Sequence, residues 1–459
     1  VRSRRQRQMC IRDRAWIAVG LLIGTILNWY IVSARLRKYT IVAGNSLTIP
    51  SFFKNRYRDH KNIIKIVSAS IIAVFFTVYT ASAFSSGAKL FATLFSDSAS
   101  GDENYNRVYV IGLIVAAVVI LVYTFMGGFK AVCTTDLIQG LMMIVAILTV
   151  PVLAYAILTF DTSFSSALAA KGVEQPAQFL NFFVNGDGTP VSAVSIISNL
   201  AWGLGYFGMP HILVRFMAVK SNEEIKKSRK IAVVWVIISL TASCLIGLIA
   251  RGYLTAQLDD ATSESVFIRT IQQLFSGNGV LIFIGGIFLC GILAAIMSTA
   301  DSQLLVTASA VSEDLYKGAV KKNASEKSSL LVGKIAVAVV AVIAFFIALN
   351  PKSSIMGLVS DAWAGFGSAF GPVVLLALFW KRSTLSGAIS GMATGALTVI
   401  IWDYIPLVNG QTLYAATNLY SLVVGFGLAL IVNVIVSLLS KKPSKEIMDE
   451  FDSIKNIEV

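Results

Sequence analysis

The sequence predicts an all-α polytopic membrane protein. Of its 459 residues, 56% are hydrophobic and only 14% are charged, and the mean hydropathy is +0.74. This composition lies outside the range of soluble globular domains, whereas a transmembrane helix requires about 20 mostly apolar residues. We count eleven runs of that kind, numbered one to eleven in chain order: 15–34, 66–88, 108–129, 137–160, 191–214, 231–250, 278–300, 335–351, 354–380, 383–402 and 417–440.

The loops between these runs contain no stretch long enough for a separate soluble domain. We therefore expect one transmembrane domain over residues 15–440, followed by a cytoplasmic tail over residues 441–459. The tail is charged and too short for a signalling output domain. We expect the seventh run, 278–300, to continue past residue 310.

The distribution of positive charge predicts the topology. Beyond residue 14, the segments that follow odd-numbered runs hold 26 Lys and Arg residues, and those that follow even-numbered runs hold six. Cytoplasmic loops of membrane proteins carry such an excess, so we expect the first run to start outside and the C-terminus to lie in the cytoplasm. The net charge of +13 then reports topology, and we expect no nucleic-acid partner.

Residues 1–14 violate this charge pattern. They contain six arginines, yet they precede a run that is expected to start outside, and they show neither periodicity nor the apolar core of a signal peptide. We interpret them as a non-native segment, with a basic arm as the alternative, and leave them out of the fold prediction.

The sequence contains no pattern that predicts an enzyme or a resident cofactor. It has no HExxH motif, phosphate loop, nucleophile elbow or pair of histidines. The four cysteines (Cys10, Cys133, Cys244 and Cys290) lack the spacing of a metal site or a disulfide framework.

The stretch "NLAWGLGYFGMPHILVRFM", residues 199–217, predicts a broken helix inside the bilayer. Pro210 removes a backbone donor, and the nearby glycines tolerate conformations that a helix does not use. Broken helices persist in membranes only where they are buried in protein or line a wet cavity. Trp202 and Tyr206, spaced i and i+4, are expected on one helical face. Together they suit a small ligand with an apolar ring and a charged end; a proline kink filled by bulky core residues is the alternative.

A second polar cluster lies in "AAIMSTADSQLL", residues 294–305. Ser298, Asp301 and Ser302 are expected on one helical face, with Thr299 adjacent. Hydroxyl and carbonyl oxygens suit a small hard cation, and an acidic residue within a span is costly enough to predict a function for Asp301. The alternative for the hydroxyls is hydrogen bonding to their own helix.

Four further polar residues give weaker signals. Tyr123 either faces a cavity or anchors the helix at the membrane interface. We expect Asp136 to cap a helix, His211 to be structural and Arg215 to extend towards the membrane boundary.

Several longer stretches resemble the solute:sodium symporter family, and within it the bacterial members that carry proline. They are "WGLGYFGMPHILVRFMA", "AAIMSTADSQLLVTASAVSEDLYK", "RLRKYT" with "NSLTIPSFF", "VYTFMGGFKAV" and "GLVSDAWAGFGSAFGPVV". The similarity extends from about residue 15 to about residue 440. It implies a fold of thirteen transmembrane helices around two inverted five-helix repeats, in which sodium moving down its gradient drives substrate uptake by alternating access.

The resemblance also implies roles for individual residues. Trp202, Tyr206 and Pro210 match positions tied to proline binding, as does Tyr123. Ser298 and Thr299 match the hydroxyl pair of the sodium site, and Ser302 matches a small polar position near it. The implied partners are proline, a co-transported sodium ion and the lipid bilayer of the plasma membrane, with no obligatory protein partner.

Eleven helices instead of thirteen imply that the family's first two helices are missing. The second of these is the broken opening helix of the first repeat, so we expect the chain as written to be unable to transport. Alternative functions are transport of pantothenate, a sugar or a carboxylate, a transporter-like membrane sensor, or a channel.

Overall fold

The structure is a computed structural model that describes residues 2–96, 102–126, 129–185, 189–258, 262–321, 323–351 and 353–454. Almost all of the described backbone is helical. The elements in chain order are α1 (Arg2–Leu27), a π-helical turn (Asn28–Val32), α2 (Ser33–Val42), α3 (Ile49–Arg56), α4 (Ile63–Phe95), α5 (Glu103–Met126), α6 (Phe129–Leu158), α7 (Phe164–Ala170), α8 (Pro176–Phe179), α9 (Ala193–Leu200), a 3-10 segment (Ala201–Phe207), α10 (Pro210–Ala218), α11 (Asn222–Tyr253), a 3-10 turn (Ser263–Ser265), α12 (Val266–Leu274), α13 (Gly279–Ser309), a π-helical extension (Ala310–Val320), α14 (Glu326–Ala348), α15 (Ile355–Phe379), α16 (Leu385–Tyr404), β1 (Pro406–Val408), β2 (Gln411–Thr412), α17 (Leu413–Thr417), α18 (Ser421–Leu439) and α19 (Lys445–Ser453).

Among these described residues, ten helices are long and apolar enough to cross a membrane. They coincide with ten of the eleven predicted runs, which confirms a multi-pass membrane protein. The fifth run, 191–214, is divided into α9, the 3-10 segment and α10. The seventh run continues past residue 310 as predicted, because α13 passes into the π-helical extension.

A short hairpin is a departure from the purely helical prediction. β1 and β2 pair antiparallel, and their turn contains Asn409 and Gly410, both with positive φ. Asn-Gly favours the two-residue turns whose twist matches that of paired strands. Hydrophobic periodicity did not reveal the hairpin because its strands are so short.

Helix α15 forms the centre of the core. Its aromatic side chains Phe366 and Phe370 are fully buried, and its small residues let neighbouring helices approach closely. A Cβ atom at Gly365 would lie 2.1 Å from Cε1 of Phe75 in α4, and one at Gly371 would lie 2.5 Å from Cε2 of Phe426 in α18. This helix therefore holds α4 and α18 at fixed distances around the broken segment.

Glu264, in the 3-10 turn Ser263–Ser265, links three parts of one end of the bundle. Its carboxylate forms an ion pair with Lys89 of α4 (2.6 Å) and accepts hydrogen bonds from the Ser354 hydroxyl and the Met356 amide at the start of α15. Burial raises the pKa of the Glu264 carboxyl, but Lys89 and the backbone donors outweigh this effect, so its pKa lies below the usual value. The carboxylate therefore stays ionised and holds α4 and α15 together.

The C-terminal helix α19 is docked onto the opposite end of the bundle. Phe451 is 7% exposed and Ile454 is 1% exposed. The Phe451 ring contacts Tyr39 of α2 edge-on, and the guanidinium groups of Arg35 and Arg56 lie 5.1 Å and 5.4 Å from its centroid. Guanidinium groups over an aromatic face are attracted to it, so the tail residues before 455 form part of the folded structure.

Two ion pairs flank this docked ring. Glu450 pairs with Arg58 at 2.5 Å, and Asp452 pairs with Lys381 in the loop after α15. Both pairs are partly exposed, and such pairs contribute little to stability. Phe451 should therefore provide most of the free energy that holds α19 in place.

We predict that Phe451→Ala releases α19. Loss of a largely buried phenylalanine costs about 3 kcal/mol, enough to expose the backbone around residue 450 to protease. Limited proteolysis of the purified protein in detergent should cleave this variant faster in the tail than the wild type. Asp449→Ala, at an exposed position of the same helix, is the control. Equal cleavage rates for wild type and Phe451→Ala would contradict the docking.

Candidate functional site

The predicted break in the fifth membrane segment is present. Helix α9 passes at Leu200 into the 3-10 segment, which ends at Phe207, and Pro210 is the first residue of α10. Proline suits the first helical position because its fixed φ matches the helix and its missing N–H would have no helical partner. Met209 is extended, with ψ of 108°, as expected for a residue before proline. Pro210 therefore starts a new helix instead of kinking an existing one.

The glycines of the break do not adopt the unusual backbone conformations that we inferred from the sequence. Gly208 has φ of −113°, and neither Gly203 nor Gly205 adopts positive φ. Their role is close packing: a Cβ at Gly203 would lie 2.3 Å from the Gly20 carbonyl oxygen, and one at Gly205 would lie 2.0 Å from Nε1 of Trp363. The break thus depends on contact with α1 and α15.

The prediction that Trp202 and Tyr206 share one α-helical face is wrong for this geometry. A 3-10 helix has three residues per turn, so residues four apart do not align along it. Both side chains instead meet Trp363. Trp202 stacks with it at a centroid distance of 6.2 Å, and Tyr206 contacts it edge-on at 5.1 Å. A tryptophan from α15 therefore unites the predicted aromatic pair.

Side chains from other helices satisfy carbonyl groups of the broken segment. The Trp363 indole N–H donates to the Trp202 carbonyl oxygen at 2.7 Å, and the Asn28 amide donates to the Tyr206 carbonyl oxygen at 3.1 Å. Unsatisfied backbone groups are costly in a membrane, so these two bonds stabilise the break. Sequence reasoning missed Trp363 and Asn28 because each lies more than 150 positions away.

A polar cavity of about 570 Å³ extends from Trp202 to the end of the bundle where α15 and α18 begin. Hydroxyl, amide and aromatic side chains dominate its lining. The polar and aromatic lining residues are Asn185, Ser192, Ser195, Ser198, Asn199, Trp202, Ser354, Ser360, Tyr414, Asn418 and Tyr420. We call this cavity the vestibule.

Three of the four predicted cation residues line a second cavity, of about 320 Å³. Ser298, Thr299 and Ser302 of α13 face it, together with Asp136 of α6 and His211 of α10. The Ser298 and Thr299 hydroxyls donate to the Ala295 carbonyl at 3.2 Å and 2.9 Å. The alternative of bonding to their own helix is therefore realised, but a hydroxyl that donates its proton keeps lone pairs that can coordinate a cation.

Arg215 of α10 connects this cavity to two helices. Its guanidinium donates to the Asp136 carboxylate at 2.6 Å and to the Ser302 hydroxyl at 2.9 Å. The expectation that Asp136 caps a helix is wrong, because Asp136 lies in the interior of α6 and pairs with Arg215. That Arg215 extends towards the membrane boundary stays a prediction. The opposite charges of Asp136 and Arg215 in adjacent apolar segments were the only sequence signal for this pair.

Asp301 is fully buried next to this cavity's lining residues. Its exposure is 0%, and it forms no ion pair with a basic residue among those that the structure describes. Burial of a carboxylate without an opposite charge is expensive. A cation near Asp301 would therefore stabilise this arrangement.

Tyr123 lies with the cation residues and not with the aromatic pair. Its hydroxyl donates to the Thr135 hydroxyl, one residue before Asp136, and it interacts electrostatically with Asp301 and Asp136.

His211, which we expected to be structural, is packed against Phe76 with ring centroids 5.7 Å apart.

Known proteins resemble this chain over nearly its whole length. The model of the sodium:solute symporter family matches residues 12–395. The chain is 42% identical over 450 residues to the sodium/proline symporter of Staphylococcus aureus, which covers 96% of this chain and 82% of that protein. The sodium/proline symporter of S. aureus strain Newman matches with the same identity and coverage.

Two solved structures are similar in fold. One is a sodium-coupled sialic acid symporter in a substrate-bound outward-open state, with a TM-score of 0.69, 17% identity, and coverage of 96% of this chain and 88% of that chain. The other is MhsT in complex with L-phenylalanine, with a TM-score of 0.54, 12% identity and 93% coverage of each chain. These likenesses confirm the predicted inverted-repeat transporter fold.

We predict that Gly203→Ala destabilises the protein. The added methyl would collide with the backbone of α1, and overpacking of this kind costs about 1–3 kcal/mol. Thermal unfolding in detergent, followed by the loss of the monodisperse peak, should occur at a lower temperature than in the wild type. Gly247→Ala in α11 is the matched control, because a Cβ there meets no atom within 4 Å. Equal unfolding temperatures for both variants would contradict the close contact between the break and α1.

Proposed function

The chain belongs to the sodium:solute symporter family, and from that premise we propose that it imports proline by coupling this movement to the inward movement of sodium. Its relative from S. aureus is named a sodium/proline symporter. Transport by alternating access in the plasma membrane accounts for three features together: the broken helix, the vestibule, and the oxygen cluster, by which we mean the side-chain oxygens of Ser298, Thr299, Ser302 and Asp301.

The observation that carries this proposal is the position of α10. The helix begins at Pro210, directly after the aromatic break, and its next turns place His211 and Arg215 at the cavity that holds Ser298 and Thr299. A change at the oxygen cluster therefore reaches the aromatic segment through one short helix. Such a link is what coupling between a cation and a second ligand requires.

We assign the substrate site to Trp202, Tyr206 and Pro210. The apolar ring of proline suits the aromatic side chains, and its carboxylate suits the positive end of α10. Half-helix N-termini in transporters commonly face anionic groups of a substrate. Tyr123 belongs to the substrate list only through the resemblance, since its hydrogen bond to Thr135 supports a place near the cation.

We assign the sodium ion to Ser298, Thr299, Ser302 and Asp301. Charge supports this assignment. Asp136 is paired with Arg215, whereas Asp301 forms no ion pair with a basic residue among those described. When both carboxylates are ionised, the cluster carries one uncompensated negative charge, which one monovalent cation would balance.

We also propose that the C-terminus lies in the cytoplasm, since 26 of the 32 Lys and Arg residues beyond residue 14 lie on that side. Protease added to intact spheroplasts should then leave a C-terminal epitope uncleaved, while protease added to inverted membrane vesicles should remove it. Removal of the epitope from intact spheroplasts would reverse this orientation.

The central experiment measures uptake of labelled proline into proteoliposomes. They contain the complete product of the gene, so that any helices upstream of residue 15 are present. We expect an inward sodium gradient to stimulate uptake, and an equal potassium gradient to have no effect. Hydrogen bonds or ligands to a charge are worth about 1.5–3 kcal/mol each. The double variant Ser298→Ala/Thr299→Ala should therefore show a sodium stimulation of proline uptake that is more than tenfold smaller than in the wild type. Asp301→Asn should raise the sodium concentration for half-maximal uptake.

Thr307→Ala is the matched control for the double variant. Thr307 lies on the same helix and also donates its hydroxyl to a backbone carbonyl, that of Gln303. Unchanged sodium stimulation in the double variant would remove Ser298 and Thr299 from the sodium site. Absence of proline uptake by correctly inserted wild type would refute proline as substrate, and pantothenate, sugars and carboxylates would then be tested in the same vesicles.

A further inference from the structure

Tyr420 is a residue outside the broken segment that packs directly on Trp202. It immediately precedes α18, which is the last of the candidate membrane helices among the described residues. Its ring stacks with the Trp202 indole at a centroid distance of 5.4 Å and an interplanar angle of 19°. Trp202 therefore has two stacked neighbours, Tyr420 and Trp363.

Polar contacts fix the position of Tyr420 at both its backbone and its hydroxyl. Its amide N–H donates to the Ser198 hydroxyl at 3.0 Å, and the Ser198 hydroxyl lies 3.3 Å from the Asn418 carbonyl oxygen, to which it donates. The Tyr420 hydroxyl donates to the Ser360 carbonyl at 2.8 Å. Tyr420 is thus tied to α9, which leads into Trp202, and to α15, which carries Trp363.

The location of Tyr420 at the vestibule gives this contact a functional meaning. Tyr420 and Trp202 both line that cavity, although they are only 6% and 7% exposed. A ligand that moves from the vestibule to the broken segment therefore meets this stacked pair. Because the stack is aromatic, it fixes the plane of the indole that such a ligand would contact.

We propose that Tyr420 is a positioning residue for the substrate site: by stacking on Trp202 it holds the indole in the plane that receives the ring of a small zwitterionic substrate. This inference rests on the proposed function. The ring and the hydroxyl have separable roles, since the ring contacts Trp202 and the hydroxyl contacts α15. Substrate affinity should follow the ring.

The test measures the KM and the maximal rate of sodium-driven proline uptake for variants of Tyr420. Tyr420→Ala should raise the KM roughly three- to tenfold, the range that an aromatic pair provides, with the maximal rate per inserted protein within about twofold. Tyr420→Phe keeps the ring and should restore a KM close to that of the wild type. Tyr420→Leu keeps an apolar side chain of similar burial without the aromatic plane and should behave like Tyr420→Ala.

Two controls separate positioning from stability. Tyr155→Ala changes an exposed tyrosine of α6 outside the vestibule and should leave the KM unchanged. The amount of monodisperse protein reports folding; if Tyr420→Ala does not insert, Tyr420→Leu provides the same comparison with Tyr420→Phe.

The outcomes distinguish this inference from the proposed function. A wild type that carries proline, together with an unchanged KM in Tyr420→Ala or Tyr420→Leu, overturns the positioning role and leaves the function intact. A loss of maximal rate at constant KM in all Tyr420 variants also overturns it, because that pattern indicates a purely structural residue. A wild type that neither binds nor carries proline overturns both.

Discussion

The structure depends on one constraint: a helix that breaks within the bilayer must find partners for the backbone groups that it releases. Lipid offers no hydrogen-bond partners there, so other side chains must supply the hydrogen bonds. The Trp363 indole bonds to the Trp202 carbonyl, and the Asn28 amide bonds to the Tyr206 carbonyl. The glycines on both sides of the α1 contact allow the helices to come close enough. The same contacts that make the break tolerable also gather its aromatic side chains around Trp363.

Charge imposes a second constraint on the neighbouring oxygen cluster. Arg215 compensates Asp136, which leaves Asp301 buried without an ion-pair partner among the described residues. A protein retains such an uncompensated group only where it is useful. Because Arg215 belongs to α10 and α10 starts at the break, a cation that changes the balance at Asp301 acts on the helix that borders the aromatic site.

The sequence was informative wherever a local pattern determines structure. Apolar runs located the membrane helices, and the combination of Gly203, Gly205, Gly208 and Pro210 located the break. The helical spacing of Ser298 and Ser302 placed both at one cavity. It was uninformative for contacts between distant segments: the Trp363 and Asn28 hydrogen bonds, the Asp136–Arg215 pair and the docking of Phe451 join residues far apart in the chain. The 3-10 geometry of Ala201–Phe207 also escaped prediction, because it results from packing against α1 and α15 and not from local propensity.

Equilibrium binding of proline to the purified complete protein, with and without sodium, tests the coupling of the two sites most directly. Coupling free energies between sites are typically about 1–3 kcal/mol. We therefore predict that saturating sodium tightens proline binding at least about fivefold, and that saturating proline tightens sodium binding by the same factor, because such coupling is reciprocal. A proline affinity that is the same in sodium and in potassium would contradict the account that α10 links a cation site to a substrate site.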